Sequence, residues 1–511
     1  MRAASHLPGH AALFALCAAA AVLLLWRLGD GSLYDWDEAI YAQVAKEIVE
    51  TGDWLTLHWG YEPFFEKPPL LMWSTAIWYH LFGVSEFWAR ATSALSGIAL
   101  VALVYAIARR LYGAATGFAA GIVLLTTHQF VLSARFGTTD VLLTLWVYLC
   151  VYAYLRVQEG SFYWWYVVGI GCGLAIMTKS AAGVVAPAAI GVALLLDRRL
   201  AAALRTPSFW GGIGAGVVIA ASWHVAMVLL HGDRFVDVYL GRHLLERATS
   251  PMEGHVGGRD FYLGRLRTHF FPWFYLLPFA LAEAGREAAF ERARGRILLV
   301  LAVLVFGLYT AVQTKIYWYL VPIYPALAIL VARTAVRAVR QPRSAAFSGL
   351  AVATAVLLLL APQKLTLLFA ALVVGAAAVD WRRGSMRAVP LAMALFLVAA
   401  GANEIRPLFA GGESSIARLA RAAGRAYPPG TALIVYGHSG LYKPAPLFYS
   451  DTPIRMAHTP EELAAASPAR GFRMILLPQD SAAPLQSRFG IRELRRDGGY
   501  VLAQIARLPS R

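Results

Sequence analysis

The sequence predicts an all-α polytopic membrane protein that ends in a small α/β domain. Three observations carry this. Of 511 residues, 59% are hydrophobic and only 15% charged, too little charge for a soluble chain of this length. The apolar residues fall into repeated runs about long enough to cross a bilayer, where lipid offers open backbone groups no partner and so demands helices. The arginines gather between alternate runs, as they do in cytoplasmic loops.

Taken in order, thirteen spans are expected, near 11–28, 87–108, 114–134, 141–155, 162–178, 181–196, 208–230, 266–283, 297–313, 317–336, 345–360, 364–379 and 389–401. The first follows Arg2 in the manner of a signal peptide, but Trp26-Arg27-Leu28 follows it in place of a small-residue cleavage site, so it reads as a retained span. Arg109-Arg110, Arg156, Arg198-Arg199-Arg205 and the arginine groups at 286–296, 337–343 and 382–387 belong inside. The formal charge of +16 is therefore a topology signal, not a nucleic-acid surface, and no nucleic-acid partner is expected. Cys17, Cys150 and Cys172 all lie in apolar runs and form no disulfide framework or metal spacing.

The opposite side carries the polar chemistry. The segment from Asp30 to Lys67 holds nine acidic residues opposed only by Lys46 and Lys67, and long loops in compact domains are usually functional. Asp35-Trp36-Asp37-Glu38 opens a helix in which Ile40, Val44 and Ile48 share one face while Gln43, Lys46, Glu47 and Glu50 lie opposite. That period suits a helix lying on the membrane surface. Asp35 and Glu38 have the spacing of a capping box, and Gly52 is a helix stop. Trp54 to Phe65 is a polar-aromatic stretch, and Glu66-Lys67-Pro68-Pro69 sets an extended turn before another apolar helix. A carboxylate at the membrane face is a candidate general base.

Asp140, Lys179, Lys315 and Tyr319 fall on this same outer side. Snorkelling and aromatic anchoring account for a lone Lys or Tyr but not for Asp140. Acids and cations converging on one face suggest a site for an anion such as a sugar phosphate. From about Asn403 hydropathy falls. Segments 432–436 and 474–477 read as strands, 416–426 and 460–466 as helices, giving an α/β domain over 403–511 on the outer face, after a transmembrane domain over 1–402. It has no nucleotide-binding glycine fingerprint, and Gly437-His438-Ser439-Gly440 is a strand-end turn.

At these residues the chain resembles glycosyltransferase family 39, most nearly the bacterial aminoarabinose transferases of lipid A and more distantly the protein O-mannosyltransferases. The resemblance rests on 37–42 (Asp-Glu-Ala-Ile-Tyr-Ala), 52–55 (Gly-Asp-Trp-Leu), 62–70 (Glu-Pro-Phe-Phe-Glu-Lys-Pro-Pro-Leu), Ala134-Arg135 through Asp140, Met177-Thr178-Lys179, His243 to Thr249 and Phe270-Phe271-Pro272-Trp273. It covers roughly the first four-fifths of the chain. It implies a C-type glycosyltransferase fold in the cell (inner) membrane, taking a sugar from a polyprenyl-phosphate carrier and delivering it, with inversion, to a lipid or protein acceptor on the extracytoplasmic face. By similarity Asp37 is the catalytic or acceptor-orienting carboxylate, with Glu66 and Asp140 as its polar partners. Lys67 and Tyr319 bind the carrier phosphate, and Glu38, Lys179 and Lys315 complete the substrate-binding set.

One position departs from the family: Ile40 stands where relatives usually carry arginine, and Lys315 or Arg247 is the available substitute. His58, His243, His255 and His269 show no tight ligand spacing, so no metal or other cofactor is expected. Two other classes compete. A transporter or flippase of lipid-linked glycans predicts mid-span charges and inverted repeats, which the sequence does not display. A non-catalytic scaffold leaves Asp37, Asp140 and Glu66 no reason to share a face.

Overall fold

A computed structural model of the chain describes residues 9–246, 249–250, 256–288, 295–341, 344–360, 363–383, 387–426, 432–437, 444–467 and 472–507. Arg247, His255 and the turn at 438–440 lie outside them. The protein is a multi-pass helical membrane protein carrying a small C-terminal sheet. Among the described residues six stretches are long and apolar enough to cross a membrane, or seven if a bent pair counts as one, and Arg296–Ala311 and Ala345–Leu360 are shorter apolar helices. This is fewer than the thirteen spans expected.

Local chemistry accounts for several of the differences. The expected span at 114–134 divides into Ala114–Leu125 and His128–Arg135, bent by 68°. At the break the Thr126 and Thr127 hydroxyls each donate at 2.8 Å to a carbonyl four residues back, Ile122 and Val123, and such back-bonding bends helices. The expected span at 266–283 is instead a helix Phe261–His269, a 3-10 turn Trp273–Leu276 and a helix Leu277–Ala288, interrupted where Pro272 has no N–H to give. After Lys179 the chain turns sharply. A Cβ on Gly183 would fall 2.4 Å from the Ile176 nitrogen, so the segment after Ser180 doubles back on the helix Trp164–Lys179 that it leaves.

Helices Trp164–Lys179 and Pro207–His231 meet along glycines. A Cβ on Gly169 would lie 1.7 Å from the Gly212 oxygen, and one on Gly173 2.7 Å from the Gly216 oxygen. Each helix thus offers a pair of glycines four apart, the small-residue spacing that lets backbones touch in lipid. Tyr317–Arg340 is the innermost span, with 83% of its apolar window buried, whereas Pro207–His231, at 17%, stands at the edge.

The helix Asp37–Thr51 forms as expected and ends on Gly52 in the left-handed region, φ 73°, its N–H bonding Ile48 O. It is enclosed by protein on its polar side as well. Every residue from Glu38 to Ile48 is buried, because the face that reads as solvated is covered by the C-terminal domain and by the hairpin β1 (His58–Trp59) and β2 (Glu62–Pro63). The capping box is also absent. Trp36 is the N-cap and its side chain accepts nothing. Asp35 Oδ1 instead takes the Ala445 N–H at 3.0 Å, from the far end of the chain.

Beyond the helix Ala388–Ile405, the tail forms the helices Ser415–Ala426, Ala445–Ser450, Pro460–Ala466 and Gln479–Leu485 around a five-stranded sheet. Its strands are β3 (Leu433–Tyr436), β4 (Ile454–Ala457), β5 (Arg473–Pro478), β6 (Phe489–Asp497) and β7 (Tyr500–Arg507), in the order β4-β3-β5-β7-β6. The β3 pairs with β4 and β5 are parallel, and β7 runs antiparallel to β5 and β6. The helix Ala445–Ser450 docks on Asp37–Thr51. Tyr449 OH accepts the Leu33 N–H at 2.7 Å, Asp451 pairs with Lys46, and Arg421 reaches Glu86 at 2.5 Å.

Candidate active site

The N-terminus of the helix Asp37–Thr51, the bend before Thr139–Gln158 and the turn before Tyr324 converge on a narrow cleft. Asp37, Asp140, Tyr34, Gln129, Tyr317 and Trp318 are among its lining residues. One turn into the helix, Tyr41 is buried with its phenol facing Asp37, Glu66 and Asp140. Burial pushes that phenol well above its ordinary pKa, and the three carboxylates push it further. The three acids named from the sequence therefore all act on one side chain.

Asp140 is buried, 3% exposed, and Lys179 Nζ lies 2.5 Å from its Oδ1. The same ammonium sits 5.3 Å from the centre of the Tyr319 ring, which packs on Tyr309 at 4.7 Å. Asp37 also acts electrostatically on both Asp140 and Lys179. Asp37, Asp140, Lys179 and Tyr319 are thus one connected group. Lys179 is held by the break that follows it. Ser180, at φ 46°, donates to Tyr239 OH at 2.8 Å, and that hydroxyl lies 2.6 Å from His224 Nε2. Tyr239 belongs to a π-helix, Asp237–Glu246, a form that recurs at functional sites. The π-helix also carries His243, whose Nε2 is 3.8 Å from Glu66 Oε1. Lys67 follows Glu66, half-buried.

Two residues expected to bind substrate are engaged elsewhere. Glu38 is 1% exposed. Its Oε1 accepts from Arg90 Nε at 2.8 Å and Gly137 N at 2.9 Å, its Oε2 from Tyr34 N at 2.6 Å and the second Arg90 nitrogen at 3.2 Å. Arg90 also binds the carbonyls of Leu28 and Ser32, so this pair ties the loop to the membrane helices. Lys315 gives Nζ protons to the carbonyls of Tyr309, Thr310 and Val312 at 3.1, 2.6 and 2.5 Å. It closes the C-terminal end of Arg296–Ala311, as cations do at helix ends, and burial lowers its pKa. Glu38 lines the cleft beside Asp37 with both carboxylate oxygens engaged, and the Lys315 ammonium is held by carbonyls, while Ile40 is buried. Arg135 likewise spans the last carbonyls of the first helix, Leu23, Leu24 and Trp26. Sequence reasoning passed over Arg90, Tyr239 and His224. Arg90 alone had a signal, an arginine inside an otherwise apolar span.

Residues 66–225 match the dolichyl-phosphate-mannose-protein mannosyltransferase family. An undecaprenyl phosphate-alpha-4-amino-4-deoxy-L-arabinose arabinosyl transferase of Pseudomonas fluorescens is 29% identical over 335 residues, 64% of this chain and 60% of that protein. One of Aeromonas salmonicida is 27% identical over 332 residues, 63% and 60%.

The chain is similar to the family 39 glycosyltransferases.

The chain spans about three-fifths of the length of these curated relatives. In fold it matches the crystal structure of ArnT from Cupriavidus metallidurans bound to undecaprenyl phosphate, with a TM-score of 0.73 and 24% identity over 96% of this chain and 97% of that one. It matches the Archaeoglobus fulgidus oligosaccharyltransferase at 0.55 and 14% identity, over 88% and 64%. The first likeness spans the C-terminal domain as well as the membrane helices, so the C-type glycosyltransferase fold holds along nearly the whole chain.

Proposed function

We propose that the protein is a membrane glycosyltransferase that moves a sugar from a polyprenyl-phosphate carrier to a lipid or protein acceptor on the extracytoplasmic face, with inversion at the anomeric carbon. The observation that carries this reading is the Asp140–Lys179 pair at a cleft that Asp37 and Asp140 both line. The relatives named for transfer of aminoarabinose from undecaprenyl phosphate support the donor class, and with it a lipid A-like acceptor.

In the proposed reaction the acceptor oxygen or nitrogen attacks the anomeric carbon and Asp37 takes its proton. The bond from that carbon to the carrier phosphate breaks, and the phosphate leaves with the electron pair. Its charge needs donors that are already in place, and Lys67 and Tyr319 fill that role. Lys179 pairs with Asp140 and so offsets one of the negative charges that the incoming donor meets. Glu66 lies beside His243. Glu38 and Lys315 are left out of the substrate set because their polar atoms are already engaged.

The test is transfer of radiolabel from a panel of polyprenyl-phosphate sugars to membrane-extract acceptors by purified protein in lipid, with Asp37→Asn and Lys67→Ala alongside. Transfer by the wild type, lost in both folded variants, supports the reading. Carrier movement across the bilayer without transfer would replace it with the flippase.

A further inference from the structure

We propose a saccharide-binding subsite on the back of the helix that carries Asp37, where it meets the C-terminal domain. A cavity of about 410 Å³ opens there, lined by Gln43, Lys46, Glu50, Tyr61, Asp451 and Thr452 among others. Its size falls within the usual range for small-ligand sites. A second cavity, of about 400 Å³, adjoins it and shares Lys46 and Asp451.

The decisive group is Gln43. It is 2% exposed, and its amide nitrogen donates to Glu47 Oε1 at 2.8 Å. Glu47 is itself fixed by the N–H groups of Gly60 and Tyr61, each at 2.8 Å. Those two residues form a turn with φ 65° at both positions, a conformation that strains tyrosine. The opposite amide orientation would set the Gln43 oxygen against the Glu47 carboxylate. The oxygen therefore points away from Glu47, and it is buried without a hydrogen-bond partner. A buried acceptor left so is destabilising, and a ligand with a donor removes that cost.

The remaining walls ask for the same chemistry. Glu50 accepts from Tyr61 OH at 3.0 Å and retains further lone pairs. Asp451, paired with Lys46, presents a mostly exposed carboxylate. Glu50 and Asp451 against Lys46 leave the cavity with one net negative charge. A ring bearing several hydroxyls, or a protonated amine among them, supplies donors to Gln43 Oε1 and both carboxylates at once. Free anions are disfavoured. At 100° per residue, Gln43, Lys46 and Glu50 lie on the helix face away from Asp37 and Tyr41. A sugar bound here sits roughly 17 Å from the proposed base, about 14 Å along the helix axis and about one helix diameter across it, a span of several sugar rings. A glycan-bearing acceptor could hold one ring in the cavity while another reaches Asp37. That use, though not the binding, rests on the function proposed above.

The experiment is saturation-transfer NMR of glucosamine and of glucose on full-length protein in nanodiscs, read as dissociation constants. Every arm is run in the Asp37→Asn background, so that turnover does not enter. Expected are saturable binding, an affinity loss of about tenfold or more in Gln43→Leu, and a smaller loss in Glu50→Gln, which changes only a surface carboxylate. Preference for glucosamine would assign the contact to the carboxylates, and equal affinity to the Gln43 carbonyl. Absence of saturable binding, or binding unchanged in both variants, overturns the subsite. Neither result alters the transfer assay, so the two proposals fail separately.

Discussion

Lys179→Met removes the cation bonded to a carboxylate that is 3% exposed. At 2.5 Å and an effective dielectric of about 20, the gross attraction is about 7 kcal/mol. Desolvation offsets much of it, and breaking one side of such a buried pair typically costs about 3–5 kcal/mol because the other charge is stranded. Asp140→Asn strands the lysine instead and should cost a similar amount. The double variant strands nothing, so its loss should fall well short of the sum, with a coupling of at least about 1 kcal/mol. The assay is a double-mutant cycle on unfolding free energies of the four proteins in one lipid or detergent system, with transfer activity measured in parallel. Additivity to within about 0.5 kcal/mol would refute the reasoning. It would mean that the two groups do not share a dry contact, and the account of Asp140 as a neutralised acid would go with it.

Asp37→Asn should lower kcat about 10²–10⁴-fold, the usual worth of a general base, with thermal stability unchanged, as a parallel melting curve would verify. Lys315→Met should cost about 1.5–3 kcal/mol of stability through lost charged hydrogen bonds and leave the KM for the lipid-linked donor unchanged; a several-fold rise in KM would return Lys315 to the substrate set. Gly169→Leu should force apart two helices whose backbones touch and lower stability by more than the roughly 1–3 kcal/mol of ordinary overpacking, seen as a fall in melting temperature. His269 has its pKa lowered to about 4, first by burial and then by His128 and Arg265. Between about pH 4 and 6.5 the unfolded chain therefore binds more protons than the folded one, so stability rises with pH through that window, by up to about 3 kcal/mol. His269→Phe should flatten that part of a stability–pH profile.

The helical membrane fold with a small C-terminal sheet was legible in the sequence, and several members of the proposed site drew notice there too. Asp37, Glu66, Asp140 and Lys179 stand out because charged residues beside apolar runs are costly unless used. In the structure the three acids act on Tyr41, and Lys179 pairs with Asp140. Glu38 and Lys315 carry the same costly charges, yet theirs are satisfied by Arg90 and by carbonyls of a neighbouring turn. Nothing in local sequence separates a charge that waits for substrate from one that already has a partner far along the chain. The helix Asp37–Thr51 misled for the same reason. Its polar stripe is real, but what covers it is the domain beginning after residue 410, and periodicity reports a face without reporting its neighbour. Span boundaries were less legible where Thr126-Thr127 and Pro272 break runs that hydropathy alone makes continuous. In the tail, the buried strands β3 and β5 were readable from their apolar runs, whereas β6, with Arg492, Glu493, Arg495 and Arg496 along it, is a charged edge strand that such a search passes over.

The clamp on the Asp37 helix also sets an order of events in time. That helix is complete by residue 51, yet Ala445, Tyr449 and Asp451, which grip its first turns and its polar side, follow the residues they hold by 410, 416 and 405 positions. At about 5–20 residues per second of synthesis, the membrane-inserted nascent chain carries its base on an unclamped helix for roughly 20–80 s. A segment made some four hundred residues later therefore finishes this early helix, and a ribosome stalled before residue 445 would leave an inserted helical body whose Asp37 helix is not yet fixed.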